Sequence, residues 1–328
     1  MSSSTPLLQL NDVRVHFPVR GEAHRQGLRV KAVDGVSCQL QPGQTLGVVG
    51  ESGCGKSTLA RTVLKLVPLT SGKILWRGKD VNTFTVHEMQ ALRRDVRMVF
   101  QDPYASLNPR MTVGEQIGEP LALFHPEWSA ATRQTQVADI MQRVGLRPEL
   151  ANRYPHEFSG GQCQRANIAR ALIGQPKLLI CDESVSALDV SIRAQILNLL
   201  SELQRELGIA CLFISHDLSV IRHVSDQVLV LYLGKTMEYR TADALFSDAR
   251  HPYTRALLDA APVPDPARER SRPRTVLQGE LPSPLQPPSG CVFRTRCPQA
   301  TVRCGVRIPD FHSVEGGVTA CHLLESSP

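Results

Sequence analysis

The chain has 328 residues, 42% hydrophobic and 21% charged, proportions that exclude a fibrous or largely disordered protein. Its 37 Lys and Arg against 31 Asp and Glu leave a net charge of +6, which suits an anionic partner but is too slight to argue for nucleic acid. No apolar run reaches the ~18 residues of a membrane-spanning helix, and MSSSTPLLQL lacks the basic start and apolar centre of a signal peptide, so a cytoplasmic chain that spans no membrane is expected.

The first strong element is TLGVVG at 45–50, an apolar, β-branched run that reads as a strand buried on both faces. GESGCGKS follows at 50–57, and KSTLARTVLKLV at 56–67 reads as a helix stopped by Pro68. A strand, a glycine-rich loop with lysine and serine, and a helix form a phosphate cradle. Backbone N–H groups and a helix N-terminus concentrate positive potential, and glycines let the backbone come close. Gly50, Glu51, Ser52, Gly53, Cys54, Gly55, Lys56, Ser57 and Thr58 are therefore the expected nucleotide-binding residues. Lys56 is expected on the β- and γ-phosphates and Ser57 on Mg²⁺.

Three further apolar runs read as strands: VRMVF at 96–100, LLIC at 178–181 and CLFIS at 211–215. AQILNLLSELQREL at 194–207 reads as a helix stopped by Gly208. Strands alternating with helices predict a mostly parallel α/β sheet, whose ligands bind beyond the carboxyl ends of the strands. Those ends carry the glycine loop, Gln101, Asp182 with Glu183, and Ser215 with His216, and they are expected to meet. Asp182 suits Mg²⁺ and Glu183 an attacking water. Residues 105–175 show helical patterns such as TRQTQVADIMQRVGL and no clear strand, which predicts an inserted helical subdomain. Within it Ser159, Gly160, Gly161 and Gln162 open a helix as a second anion site. An N-cap accounts for Ser159 but not for the residues after it.

Composition shifts near residue 250. Twelve of the 23 prolines lie beyond it and no lysine follows Lys235, so the expected domains are 1–250 and 251–328, with 261–290 as a proline-stiffened connector. Four of the nine cysteines, Cys291, Cys297, Cys304 and Cys321, crowd into this tail. Their spacing misses the paired pattern of structural zinc, yet four thiolates in a core-poor segment suggest a metal staple. A cluster, zinc and unligated thiols all remain open.

The chain resembles the ATP-binding cassette (ABC) ATPases. FSGGQ at 158–162 is similar to their signature motif, Gln101 to their Q-loop, SALD at 186–189 to their D-loop and His216 to their switch histidine. The resemblance implies a P-loop NTPase (RecA-like) cassette that hydrolyses ATP with Mg²⁺ held by Ser57, Gln101 and Asp182. It implies Glu183, His216 and Gln101 in catalysis and Phe17 against the adenine. It further implies two cassettes head to tail, so that Ser159, Gly160, Gly161, Gln162 and Asp189 face the nucleotide of the other chain.

FQDPYASLNPR (100–110), VSALDVSIRAQILNLL (185–200), HPYTRALL (251–258) and GELPSPLQPPSGCVFRTRC (279–297) resemble the oligopeptide and dipeptide importer branch. That likeness implies a peripheral subunit on the cytoplasmic face of the inner membrane. Its implied partners are a second related ATPase, two permease subunits and, indirectly, an extracytoplasmic substrate-binding protein. Peptide is the implied cargo, with glutathione or a nickel chelate as alternatives, and the tail cysteines are implied to hold a 4Fe–4S cluster, its charge offset by Arg294, Arg296 and Arg303. Three features depart from the branch: Ser184 stands where proline is usual after the catalytic glutamate, Arg240 where glycine is common, and residues 299–303 are idiosyncratic.

Overall fold

The computed structural model describes residues 5–19, 27–186, 188–261 and 279–325. In chain order the elements are β1 (Leu8–Pro18), β2 (Arg29–Leu40), β3 (Thr45–Val49), α1 (Lys56–Val63), β4 (Ser71–Trp76), β5 (Lys79–Asp80), α2 (Val86–Asp95) and β6 (Val96–Val99). Next come α3 (Val113–Phe124), α4 (Ala130–Arg143), α5 (Gly160–Leu172), β7 (Leu178–Asp182), α6 (Val190–Leu207) and β8 (Ala210–Ile214). The remainder is α7 (Leu218–Val224), β9 (Gln227–Tyr232), β10 (Lys235–Thr241), α8 (Ala242–Ser247), α9 (Pro252–Ala260), α10 (Val302–Val306), β11 (Phe311–Val314) and β12 (Gly317–Ala320).

The chain forms two compact units, one from the described residues of Met1–Leu40, Thr45–Asn82 and Ser215–Pro328, the other from Gln41–Gln44 and Thr83–Ile214. In the first, β1 pairs antiparallel with β2 and β4, while β3 pairs parallel with β9. From β9 the ladder continues antiparallel through β10 and β12 to β11. In the second, β6, β7 and β8 pair in parallel. The predicted pairing is thus parallel around the four apolar runs and antiparallel elsewhere, where β9–β10 and β11–β12 are joined by two-residue turns.

The apolar runs are strands within a residue of their expected bounds, and β3, β7 and β8 are buried along their length. Helix α6 ends at Gly208 in the left-handed conformation, φ 61°, as its composition predicts. By contrast α1 stops at Val63, before Pro68, and Lys65 just beyond it has φ 53°. Among the described residues, 105–175 contain helices and no strand.

Among the described residues, those beyond 250 pair with strands that precede it. Strand β12 pairs with β10 through Glu238↔Thr319 and Tyr239↔Val318. Much of the expected 261–290 connector, 262–278, lies outside the described residues; in the rest, the Pro284 carbonyl accepts a bond from the Lys31 N–H (3.3 Å). A buried ionic knot secures the β10–β12 edge. Arg240, 1% exposed, donates to the carbonyls of Glu315 (2.9 Å) and Asp248 (2.6 Å) and pairs with Glu238 (3.4 Å). Glu238 also accepts from the Arg250 N–H and the Thr319 hydroxyl. Arg240 therefore has a local role where glycine would have none: a buried charge persists when paired and hydrogen-bonded.

Helix α9 is set with similar care. His251 caps it, Nδ1 accepting from the Tyr253 N–H at 3.0 Å. Burial, reinforced by Arg255, pushes the imidazole down from 6.5 to about 3, so the ring stays neutral and able to accept. Tyr253 is thereby fixed within a buried aromatic cluster with Tyr232 and Phe293, ring centroids 4.8 and 5.2 Å away.

Candidate functional site

The phosphate loop leaves β3 and turns into α1 through three glycines with positive φ: Gly50 at 152°, Gly53 at 78° and Gly55 at 105°. A Cβ on Gly55 would stand 2.0 Å from the Ala32 carbonyl oxygen, and one on Gly50 would stand 2.2 Å from that of Leu231. Only glycine serves at both positions, on conformational and on steric grounds. Cys54 is 1% exposed beneath the loop, and its carbonyl accepts from the Gly234 N–H at 3.0 Å. Lys56 is 5% exposed and donates through Nζ to the carbonyls of Gly50 (2.7 Å) and Glu51 (3.0 Å). Ser52 and Gly53 are exposed at the tip, while Ser57 and Thr58 are half-buried on the first turn of α1.

Two other expected residues belong to the same unit. The Ser215 N–H donates to the Val48 carbonyl at 3.2 Å, so His216 emerges beside the strand that feeds the loop. Phe17 pairs with Val30 on β2, two residues before the Ala32 carbonyl that abuts Gly55, and its ring is 37% exposed. A flat, accessible aromatic there is suited to stacking on a base.

The second unit brings Gln101 and Glu183 together, Nε2 donating to Glu183 Oε2 at 3.1 Å. Asp182 ends β7 at 4% exposure. Glu183 has φ 47°, and its carbonyl accepts from the Ser186 N–H (3.1 Å) and hydroxyl (2.8 Å). The next carbonyl, of Ser184, accepts from Gln164 Nε2 at 2.6 Å. Helix α5 therefore braces the turn at Ser184 even though proline is lacking there.

Gly-Gly-Gln after Ser159, which an N-cap alone does not account for, has local partners in the structure. Ser159 and Gln162 form a reciprocal capping box, Ser159 Oγ accepting from the Gln162 N–H and Gln162 Oε1 from the Ser159 N–H. A Cβ on Gly161 would come within 2.8 Å of Ile192 Cγ2 on α6, and one on Gly160 within 3.7 Å of the Tyr104 ring. Asp189 is the N-cap residue of α6 without a side-chain cap bond. Arg193, which the sequence did not single out, donates to the carbonyls of Ser186 (3.4 Å) and Leu188 (3.2 Å). Arg193 and Gln164 escaped notice because each acts through backbone carbonyls, which leave no motif.

In the tail, Cys291, Cys304 and Cys321 are buried and Cys297 is half-buried, all as free thiols. Burial pushes the Cys291 thiol up to about 11 and also raises Cys297 and Cys321, with neighbouring thiols adding to each. Among the described residues no three His, Cys, Asp or Glu side chains are placed to hold a metal ion. The placement of these thiols thus supports neither the zinc nor the cluster expectation. The arginines expected to offset cluster charge are engaged elsewhere: Arg294 with Ser289, Arg303 with Glu325 and Arg296 with Glu51.

Known proteins share the sequence of this chain over most of its length. Residues 33–186 match the ABC transporter family, and residues 237–304 match the oligopeptide/dipeptide transporter C-terminal region. The chain is 55% identical over 306 residues to the oligopeptide transport ATP-binding protein OppF of Salmonella typhimurium, covering 92% of each chain. This chain is an ABC transporter ATP-binding protein.

The cassette is also 49% identical to the di/tripeptide transport ATP-binding protein DppF of Pseudomonas aeruginosa, covering 97% of this chain and 98% of that one. Among solved structures, the ATP-binding cassette MJ0796 bound to ADP and Pi superposes with a TM-score of 0.64 at 27% identity, covering 72% of this chain and 98% of that chain. The cassette fold is thus the expected P-loop NTPase fold, and the family is one of ATP-hydrolysing subunits. Among the described residues no helix is long and apolar enough to cross a membrane.

Proposed function

We propose that this cassette hydrolyses ATP to drive uptake of dipeptides or oligopeptides through a separate membrane permease. The observation that carries the reading is the oligopeptide/dipeptide C-terminal region at 237–304, on a cassette whose curated relatives bear oligopeptide and di/tripeptide transport names. Its proposed place is the cytoplasmic face of the inner membrane, bound to two permease subunits and paired with a second, related ATPase. An extracytoplasmic substrate-binding protein would act through the permease, with no part for nucleic acid. Residues 1–250 would be the ATPase domain, with 105–175 as its helical subdomain, and 251–328 the importer-type extension.

The proposed roles follow the chemistry of the side chains. Gly50 through Thr58 cradle the phosphates, for which positive-φ glycines and a helix N-terminus are suited, and Phe17 stacks on the adenine. Lys56 is a buried cation whose Nζ can exchange loop carbonyls for phosphate oxygens. Ser57, Gln101 and Asp182 offer the oxygen donors that Mg²⁺ requires, and the ion when bound neutralises phosphate charge. Glu183, held by Gln101, orients and polarises the attacking water. His216 and Gln101 sense the γ-phosphate. Ser159, Gly160, Gly161, Gln162 and Asp189 address the nucleotide on the paired cassette.

Uptake of labelled di- and tripeptides, measured beside nickel in cells carrying wild type or Glu183→Gln, tests the reading. Loss of peptide uptake alone is expected. Loss of nickel accumulation with intact peptide uptake would move the cargo to a metal chelate, and loss of neither would sink the importer assignment.

For the tail we propose a 4Fe–4S cluster on Cys291, Cys297, Cys304 and Cys321, a reading supported by the number of free thiols there, four being what such a cluster takes, and not by their placement. Anaerobically purified protein is expected to carry iron and acid-labile sulfide in equal amounts, and to lose both when Cys304 is replaced by Ser. Iron-free protein from iron-replete cells would exclude the cluster.

A further inference from the structure

Glu51, the second residue of the phosphate loop, is gripped by residues from the C-terminal extension. Its backbone N–H donates to the Tyr253 hydroxyl at 2.9 Å. Its carboxylate meets Arg296, Nη1 to Oε2, at 2.6 Å. Its carbonyl accepts from Lys56. All three polar groups of this one residue are thus spoken for, and two of the three partners lie within the 237–304 region, far from the loop in sequence.

Neither partner is free to wander. Tyr253 is fully buried on α9, whose N-terminus His251 caps. The Arg296 side chain is only 9% exposed, its guanidinium lies 6.0 Å from the centre of the Tyr232 ring, and its backbone N–H donates to the Phe293 carbonyl at 3.0 Å. Phe293 is itself fully buried and packs edge-on to Tyr232 and tilted against Tyr253. Arg296 and Tyr253 therefore grow from one aromatic block, and the bonds they offer Glu51 are preorganised. A surface ion pair between flexible side chains contributes little; one built on buried neighbours loses less entropy and is stronger.

We propose that Arg296 and Tyr253 are positioning residues for nucleotide binding, holding the phosphate loop at Glu51 so that the ATP affinity of the cassette depends on the C-terminal extension. The alternative is a staple that merely anchors the extension and leaves the loop indifferent. The two differ in what a broken pair does: a loop held open for phosphates loses affinity for ATP when released, whereas an anchor lost shows only in stability.

The test is ATP affinity and ATPase kinetics of the full chain, with thermal unfolding recorded alongside, for Arg296→Ala, Glu51→Gln and the double variant. Each single change is expected to raise the Kd and KM for ATP about 10-fold, the scale of one charge-assisted hydrogen bond. Turnover of Arg296→Ala at saturating ATP is expected to stay within about 2-fold, and the ATP affinity of the double variant to be no worse than that of either single one. Arg296→Lys, which keeps the charge but not the fork, is expected to recover part of the loss. Should Arg296→Ala fail to fold, Tyr253→Phe removes only the hydroxyl and is expected to raise Kd about 3-fold, the scale of a neutral hydrogen bond. Unchanged ATP affinity in Arg296→Ala or Tyr253→Phe, or single effects that add in the double variant, would overturn the proposal.

Discussion

Replacing Glu183 with Gln is expected to leave ATP bound and turnover nearly abolished. The exchange is isosteric, and the amide oxygen of the new side chain can still accept the hydrogen bond that Gln101 Nε2 now gives to the carboxylate at 3.1 Å. The turn itself should also survive, since Ser186 and Gln164 hold it through carbonyls rather than through the Glu183 side chain. What disappears is the negative charge that draws a proton from water. Loss of a positioned general base costs on the order of 10² to 10⁴ in rate, and nucleotide-bound pairs of cassettes should accumulate. Single-turnover hydrolysis, with size-exclusion chromatography in ATP, measures both effects. Turnover at the wild-type rate would remove Glu183 from the chemistry.

The second large effect belongs to Lys56→Ala. Lys56 is a buried cation whose ammonium satisfies the carbonyls of Gly50 and Glu51, so truncation removes the phosphate partner and two bonds that shape the loop. ATP affinity is expected to fall by about 10²-fold or more, as for loss of two charge-assisted contacts. The fold is expected to lose only about 1–3 kcal/mol through the carbonyls left unpaired. Titration with a fluorescent ATP analogue and a thermal melt separate the two. Affinity unchanged from wild type would show that the loop does not use this lysine.

These two residues lie where the sequence was easiest to read. The phosphate loop packs strand end, glycines, lysine and helix start into adjacent residues, so local chemistry alone declares it, and the buried β3, β7 and β8 are continuous apolar runs. Strands such as β2 were not legible. Its burial alternates irregularly, with bulges against β1 at Val13 and His16, so neither a two-residue nor a helical period stands out. The signature segment was half legible: its serine read as a cap, but the use of Gln162 and Gly161 emerged only with the capping box and Ile192 in place. The grip of Arg296 on Glu51 joins residues 245 positions apart. No spacing rule reaches that far, and an arginine beside Cys297 invites a different electrostatic reading.

The pairing of β12 with β10 also bears on how the protein is made. During synthesis β10 is complete long before Gly317–Ala320 leaves the ribosome, and until then it is a bare sheet edge, open to strands of other nascent chains. Lys235, Glu238 and Arg240 lie on that strand. On an unpaired edge such charges oppose intermolecular pairing, so Glu238 and Arg240, which later knit the buried knot, first act with Lys235 as sentries over an unfinished sheet.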